Sequence, residues 1–251
     1  MEDVPFTDAV QYLLEQEPPG YMPAPKSTGR KPFVLPPAAQ EEYRVELYLQ
    51  SRGVSLDVIR YCISRGILYE SLPYHSCVFV GLDRNGVPRY GALRSTCDGP
   101  NAFKGEQAGS DKRYSFCIPP VVRSRRAAVY EAAPDALAHM TLEGGRADKY
   151  RLSLGGIYVP QDTSTDLPVK SPAALEAFLQ NHPEVDALEI CTDNDRAGRW
   201  AAQNIVKHYS KEYTVTVKLP PGDGRDWADA AKQQKQERAA RSRAARLNKE
   251  L

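Results

Sequence analysis

The sequence predicts an α/β protein whose C-terminal half is a mostly parallel sheet flanked by helices, preceded by a smaller α+β region. Three observations predict it. From Arg126 onward, β-prone and helical runs alternate. Earlier, Asn85-Gly86 separates two strand-like runs, a strong hairpin signal. Two acidic clusters also stand directly after strands of the alternating half, where open α/β sheets bind ligands.

The elements follow in chain order. Phe6, Ala9, Val10, Leu13 and Leu14 fall at helical spacing within Pro5–Glu15, with Thr7 as a cap. Pro18 to Pro37, rich in Pro, Gly and Lys, reads as an extended linker. Ala38 to Leu68 reads as a helical pair. Tyr43, Leu47 and Tyr48 are expected on one face, Gly53 ends the first helix, and Ser55 caps a second that buries Val58, Ile59 and Cys62. Strands are expected at His75–Val80 and Val87–Leu93. Arg94, Lys104, Lys112 and Arg113 then surround an irregular, Gly-rich stretch, read as a phosphate-contacting surface or as a solvated loop.

In the alternating half, Ala127–Tyr130 is a buried strand and Asp135–Leu142 a helix. A strand-like segment over Tyr150–Ile157 takes in the turn at Gly155-Gly156. Pro172–Gln180 is a helix, Ala187–Cys191 a central strand, Ala197–Tyr209 a helix and Tyr213–Val217 the next strand. The tail from Lys232 is a polar helical pattern without an apolar face. It reads as a solvated helix or as a weak electrostatic contact with nucleic acid.

Bulk properties are those of a soluble globular protein, 41% hydrophobic and 26% charged over 251 residues. No apolar run is long enough to span a bilayer and no signal-peptide pattern opens the chain, so a cytoplasmic protein without membrane contact is expected. The five cysteines and four histidines are dispersed and form no ligand spacing. They read as structural or surface residues. The net charge of +1 leaves nucleic-acid binding to local basic patches.

The first acidic cluster is Glu131 to Asp135, the second Asp193-Asn194-Asp195-Arg196. Neighbouring parallel strands would bring Glu131, Asp193 and Asp195 to one sheet edge. Carboxylates gathered there repel one another and call for a hard cation, Mg²⁺ or Mn²⁺. Such a metal suits phosphodiester formation or cleavage. The plainer reading of Asp193 or Asp195 is a cap on the helix from Ala197.

The run Val129-Tyr130-Glu131 with Pro134-Asp135-Ala136-Leu137, then Ser153-Leu154-Gly155-Gly156, then Asp193-Asn194-Asp195-Arg196-Ala197-Gly198, resembles the Toprim domain of bacterial primases, topoisomerases and some nucleases. The resemblance covers roughly Arg126 to Lys232 and implies a Rossmann-like fold. It implies Glu131 as general acid/base, Asp193 and Asp195 as metal ligands and Asp135 as a further acidic position. Gly224-Arg225-Asp226-Trp227-Ala228-Asp229 is similar to a later acidic segment of primase-type members, which implies Asp226 beside a second metal. Ala132 stands where the family usually has glycine, and fits if its φ is negative. The late acidic pair is spaced by three rather than two.

Residues Tyr43 to Pro119 resemble the uncharacterised domain that often precedes Toprim in plasmid and conjugative-element proteins. Phe6 to Leu13 is similar to the segment after the zinc ribbon of primases, which implies a primase relative without its template-reading finger, or one fed DNA by a partner. The expected organisation is therefore 1–37 helix and linker, 38–122 α+β domain, 123–232 Toprim domain, and 233–251 basic helix or tail. The leading functional expectation is primase-like nucleotidyl transfer on single-stranded DNA from nucleoside triphosphates, in replication or transfer of a mobile element, with a helicase or relaxase as partner. Arg94, Lys104, Lys112, Arg113 and Arg196 are its expected nucleic-acid contacts. A metal-dependent nuclease or nickase, and a non-catalytic nucleic-acid-binding accessory protein, are the alternatives.

Overall fold

A computed structural model describes residues 32–97, 99, 102–157, 159 and 170–247. The expected helix over Pro5–Glu15, the Pro-rich stretch as far as Lys31 and the tail beyond Leu247 lie outside them.

Two helices come first, α1 (Tyr43–Ser51) and α2 (Leu56–Ser64). Gly53 turns the chain between them at φ 92°, where only glycine is free of strain. The stripe of α1 differs from the expected one. Val45, Tyr48 and Leu49 are buried, whereas Tyr43 and Leu47 are 65% and 49% exposed. Positions i, i+3 and i+4 share a face, and Tyr43 and Leu47 lie opposite it. Ser55 occupies the N-cap position of α2 but its side chain makes no capping bond. Its N–H donates to Thr141 Oγ1 instead, at 3.1 Å.

Strands β1 (Leu68–Glu70), β2 (Cys77–Leu82), β3 (Pro88–Arg94) and β4 (Lys104–Glu106) form an antiparallel sheet in that order. The hairpin turns at Asn85-Gly86 as expected, with Gly86 at φ 75°. Asp83 secures it by accepting the N–H groups of Asn85 and Val87 at 2.9 and 3.0 Å. Sequence reading did not find β1 and β4, whose three residues each are too few to show a period.

The second sheet has five strands: β5 (Cys117–Ile118), β6 (Arg126–Tyr130), β7 (Tyr150–Ser153), β8 (Ala187–Ile190) and β9 (Thr214–Val217). Their spatial order is β5-β7-β6-β8-β9, with β5 antiparallel and the other four parallel. Helices α3 (Ala133–Leu142), α4 (Ala173–Asn181), α5 (Arg196–Tyr209) and α6 (Trp227–Leu247) complete the α/β half.

Alternation along β6 divides its residues between two cores. Ala127 and Val129 pack with Leu175 of α4 and Ile205 of α5. Ala128 and Tyr130 pack with Leu137, Met140 and Trp227 from α3 and α6. That second core runs without a break into Leu49, Ile59 and Phe79 of the antecedent region. Phe79 and Phe116 meet edge to face at the join, 5.5 Å between centroids. The two expected domains therefore share apolar interior. Helix α6 also crosses the expected boundary at 232: Trp227, Ala228 and Ala231 are buried, and the helix runs on to Leu247.

Candidate active site

Parallel pairing sets the site. Val129 of β6 is in register with Ile190 of β8, so both strands release the chain at the same sheet edge. Glu131 follows one strand and Asp193 the other. They meet directly: Glu131 Oε1 accepts the Asp193 N–H at 3.1 Å. The turn after β7 joins them, Gly156 N–H donating to the Glu131 carbonyl at 2.9 Å. Ala132, in place of the usual glycine, has φ −132° and ψ 160°, extended backbone that alanine adopts freely.

The Asp-Asn-Asp loop is locked from both sides. Asp195 caps α5, its Oδ1 accepting the Gly198 N–H at 2.7 Å. The capping expectation thus holds for Asp195, and capping and site geometry coexist there. Asn194 bonds the segment before α6: its side-chain amide donates to the carbonyls of Pro220 and Gly222, at 3.1 and 2.9 Å. Arg199 donates to Asn194 Oδ1 at 2.8 Å and to Asp223 Oδ1 at 2.6 Å. Gly198 permits this closeness, since a Cβ there would lie 2.1 Å from the Asp193 carbonyl oxygen and 2.7 Å from Glu131 Oε1.

Asp226 enters from the other side and caps α6, its Oδ1 accepting the Asp229 N–H at 2.6 Å. Trp227 fixes this entry. Its indole N–H donates to the Cys191 carbonyl at 2.9 Å, and its ring stacks on His139 with centroids 3.8 Å apart. The His139 Nδ1 pairs with the Tyr130 hydroxyl at 2.8 Å. Sequence reading missed Asn194, Arg199, Trp227 and His139 as site supports; only their nearness to acidic residues marked them.

The carboxylates disturb one another. Burial pushes Asp135 up to about 7, helped by the charges of Asp226 and Glu131, while Arg94 and the Ala228 N–H pull the other way. Burial likewise pushes Asp193 up to about 8, and Asp135, Glu131, Asp226 and Asp195 add to it. Burial and Asp195 raise Glu131, with the Asp193 N–H as partial relief. Asp193 Oδ1 is buried without a hydrogen-bond partner among the described residues. A buried oxygen left unpaired beside like charges is costly, and a cation relieves both costs. The donors are hard oxygens, which fit Mg²⁺ or Mn²⁺. Among the described residues no three of these carboxylates have ligand atoms within 4.8 Å of one another.

A tighter trio, His139, Glu189 and Cys191, does lie within 4.8 Å. It does not fit a metal. Lys149 Nζ already sits 3.0 Å from both Glu189 and Glu143, and Lys218 approaches the same carboxylates. Burial pushes the Cys191 thiol well up, away from the thiolate that metals require.

From the first sheet, Arg94 acts on Asp135 while its Nε donates to the Tyr48 hydroxyl at 2.9 Å. Arg94 of β3 is directly opposite Lys104 of β4, so both project from one face. Tyr90 and Glu106 share that face and are bonded at 3.0 Å. Lys112 holds Glu106 at 3.1 Å and donates to the Gly155 carbonyl at 2.9 Å. Arg113 forks onto Asp111 at 2.6 Å and so is already neutralised. Arg196 is exposed at the start of α5. The structure thus gathers Glu131, Asp135, Asp193, Asp195 and Asp226, with Arg94, Lys104 and Lys112 on the sheet face that meets the Gly155 turn.

Residues 128–231 match the family model described as Toprim-like, and residues 47–120 the model described as a protein of unknown function (DUF3991). No curated protein matches the chain. Among solved structures, the RNA polymerase domain of Mycobacterium tuberculosis primase DnaG is similar at 16% identity. The match covers 76% of this chain and 72% of that one, with a TM-score of 0.48. The primase fragment of the bacteriophage T7 primase-helicase protein is similar at 14%, covering 72% and 66%, with a TM-score of 0.47. A DnaG catalytic core is similar at 18%, covering 80% and 72%, with a TM-score of 0.46. At these values the likeness says nothing of what this chain does. The family matches and the fold together establish a chain that carries a Toprim-like domain at 128–231, preceded at 47–120 by a domain of the uncharacterised family.

Proposed function

We propose that this protein is a primase-like enzyme that transfers nucleotidyl groups on single-stranded DNA. The observation that carries the reading is the buried, unpartnered Asp193 Oδ1 among carboxylates that raise one another's pKa. Asp193 and Asp195 would hold a divalent cation, and Asp135 and Asp226 would stand beside it or hold a second. When bound, that cation polarises a phosphoryl oxygen and stabilises charge in an in-line displacement.

The remaining work falls to the chain's own side chains. Glu131 Oε1 is engaged by the Asp193 N–H, which leaves Oε2 to accept the proton of an attacking hydroxyl. Its raised pKa makes it a stronger base for that role. Arg94 and Lys104 face the strand's phosphates, with Lys112 at the Gly155 turn and Arg196 at the start of α5. Arg113, tied to Asp111, contributes least. Nucleoside triphosphates are the co-substrates, and a helicase or relaxase of a mobile element is the working partner. The setting is the cytoplasm. Among the described residues no helix is long and apolar enough to cross a membrane.

Primer synthesis from labelled nucleotides on a single-stranded template, with Mg²⁺ or Mn²⁺, tests this. The wild type should extend, and Asp193→Ala should lose at least a hundredfold in rate, as removal of a key electrostatic group does. Nicking of circular DNA without nucleotides, in place of synthesis, would convert the reading to a nuclease. Inactivity of the wild type in both assays would end the catalytic reading.

A further inference from the structure

Helix α6 is buried at its first turns and exposed over most of the rest of its described length. Trp227, Ala228 and Ala231 are buried in the shared core. Gly53 presses its backbone against the same turn, so that a Cβ there would lie 2.4 Å from Lys232 N. Lys235 Nζ donates to the Gln50 carbonyl at 2.7 Å, a further tie to α1. Beyond that the helix runs on to Leu247, roughly 18 Å of rod for twelve residues at 1.5 Å each.

Its charge differs from that of the rest of the chain. Residues 232–247 hold six basic side chains and one acidic one, net +5, so the remainder of the protein carries −4 against a total of +1. Elsewhere on the surface, cations sit beside carboxylates: Arg89 on Asp83, Arg123 on Glu184, Arg125 on Asp186, Arg126 on Asp148. Lys232, Lys235, Arg238, Arg241, Arg243 and Arg246 are all exposed, and among the described residues none has an ion pair. At about 100° per residue, Lys232, Lys235, Arg243 and Arg246 fall within roughly 80° of one another. There is no apolar stripe, so the helix cannot seat itself in a membrane interface.

We infer that the exposed half of α6 is an electrostatic arm that holds the sugar–phosphate backbone of single-stranded nucleic acid leading to or from the carboxylate site. The inference rests on the proposed action on DNA, and it answers a difficulty of that site. A cluster of carboxylates on an acidic body repels a polyanion, and the helix that carries the arm starts one residue after Asp226. Contacts of this kind position the strand without reading its bases.

The test is the salt dependence of binding to a fluorescein-labelled oligothymidylate, followed by anisotropy from about 50 to 200 mM salt. In the full chain, Arg243 and Arg246 are both replaced by Gln, which keeps helix propensity; a second variant replaces both by Lys. Each phosphate contact on a single strand contributes about 0.7 to the slope of log K on log salt, so the Gln variant should lose about 1.4 units of slope. Its affinity in the lower part of that range should fall at least tenfold, and the Lys variant should stay close to the wild type. An unchanged slope and affinity in the Gln variant would overturn the inference. So would stronger binding of polyglutamate than of oligothymidylate by the wild type, which would make the partner an acidic protein. Mn²⁺ affinity and primer synthesis on a short template, followed in Asp193→Asn, report the catalytic reading separately. Loss there with normal oligonucleotide binding leaves the arm in place.

Discussion

Asp135→Asn offers a direct test of the strain stored at the carboxylate site. Asp135 is 6% exposed, and its pKa rises from 3.8 to about 7. For a raised carboxylate the folded state binds the proton more tightly than the unfolded one. Its contribution is then fully present below about pH 4 and is lost as pH climbs through the folded value of about 7. Roughly three pH units at about 1.36 kcal/mol each set a ceiling near 4 kcal/mol for the metal-free protein at pH 8. Relaxation of Asp226 and Glu131 around the site reduces the expected figure to about 2 kcal/mol. Asparagine keeps the shape, its carbonyl still accepts the Ala228 N–H, and its amide can donate to neighbouring carboxylates. Urea unfolding in EDTA should therefore show the variant more stable than the wild type at pH 8 by about 2 kcal/mol, with the gap closing near pH 4. Millimolar Mg²⁺ should stabilise the wild type and narrow the difference. A variant less stable than the wild type at pH 8 in EDTA, or a gap that does not depend on pH, would refute the reasoning.

Three further outcomes follow from the same geometry. Gly198→Ala places a methyl 2.1 Å from the Asp193 carbonyl oxygen and should cost about 2–4 kcal/mol in urea unfolding, with reduced Mn²⁺ affinity by calorimetry. Trp227→Phe keeps an aromatic ring over His139 but leaves the Cys191 carbonyl unpaired. It should cost roughly 1–2 kcal/mol and weaken metal binding, while Trp227→Ala should cost more. Between about pH 6.5 and 4 His139 works against the gain that Asp135 and Asp193 bring on acidification: burial holds His139 down to about 4, so the unfolded state takes up its proton first. Glu143 adds to this at lower pH. Burial pushes it up, but His139 when charged, Lys149 and Arg151 outweigh that and hold it at about 2. His139→Phe should remove that opposition, so that stability without metal rises more steeply from about pH 6.5 to 4 than in the wild type, read by thermal melts across the range.

Much of this was legible in the residues. The alternation after Arg126 specifies a parallel sheet because strands joined by helices must run the same way. The acidic clusters after two of those strands then fall at one edge, since Val129 and Ile190 are in register. Asn85-Gly86 marks its hairpin because few other dipeptides accept that turn. Such features are local, or follow from a period carried along the chain. Other features depended on which surfaces came together. The buried stripe of α1 was decided by the core it faces, so Val45 and Leu49 went inside and Leu47 stayed out. Asn194 and Arg199 became the lock of the Asp-Asn-Asp loop only once Pro220, Gly222 and Asp223 had been folded beside them. The pKa values at the site, and the unpartnered oxygen of Asp193, arise from burial and mutual charge that no single segment contains. Likewise α6 was visible in the sequence as a basic polar pattern, but its anchorage by Trp227 and Gly53 was not. Periodicity is a property of one segment, whereas burial, repulsion and fit belong to pairs of segments, and these only the tertiary structure brings together.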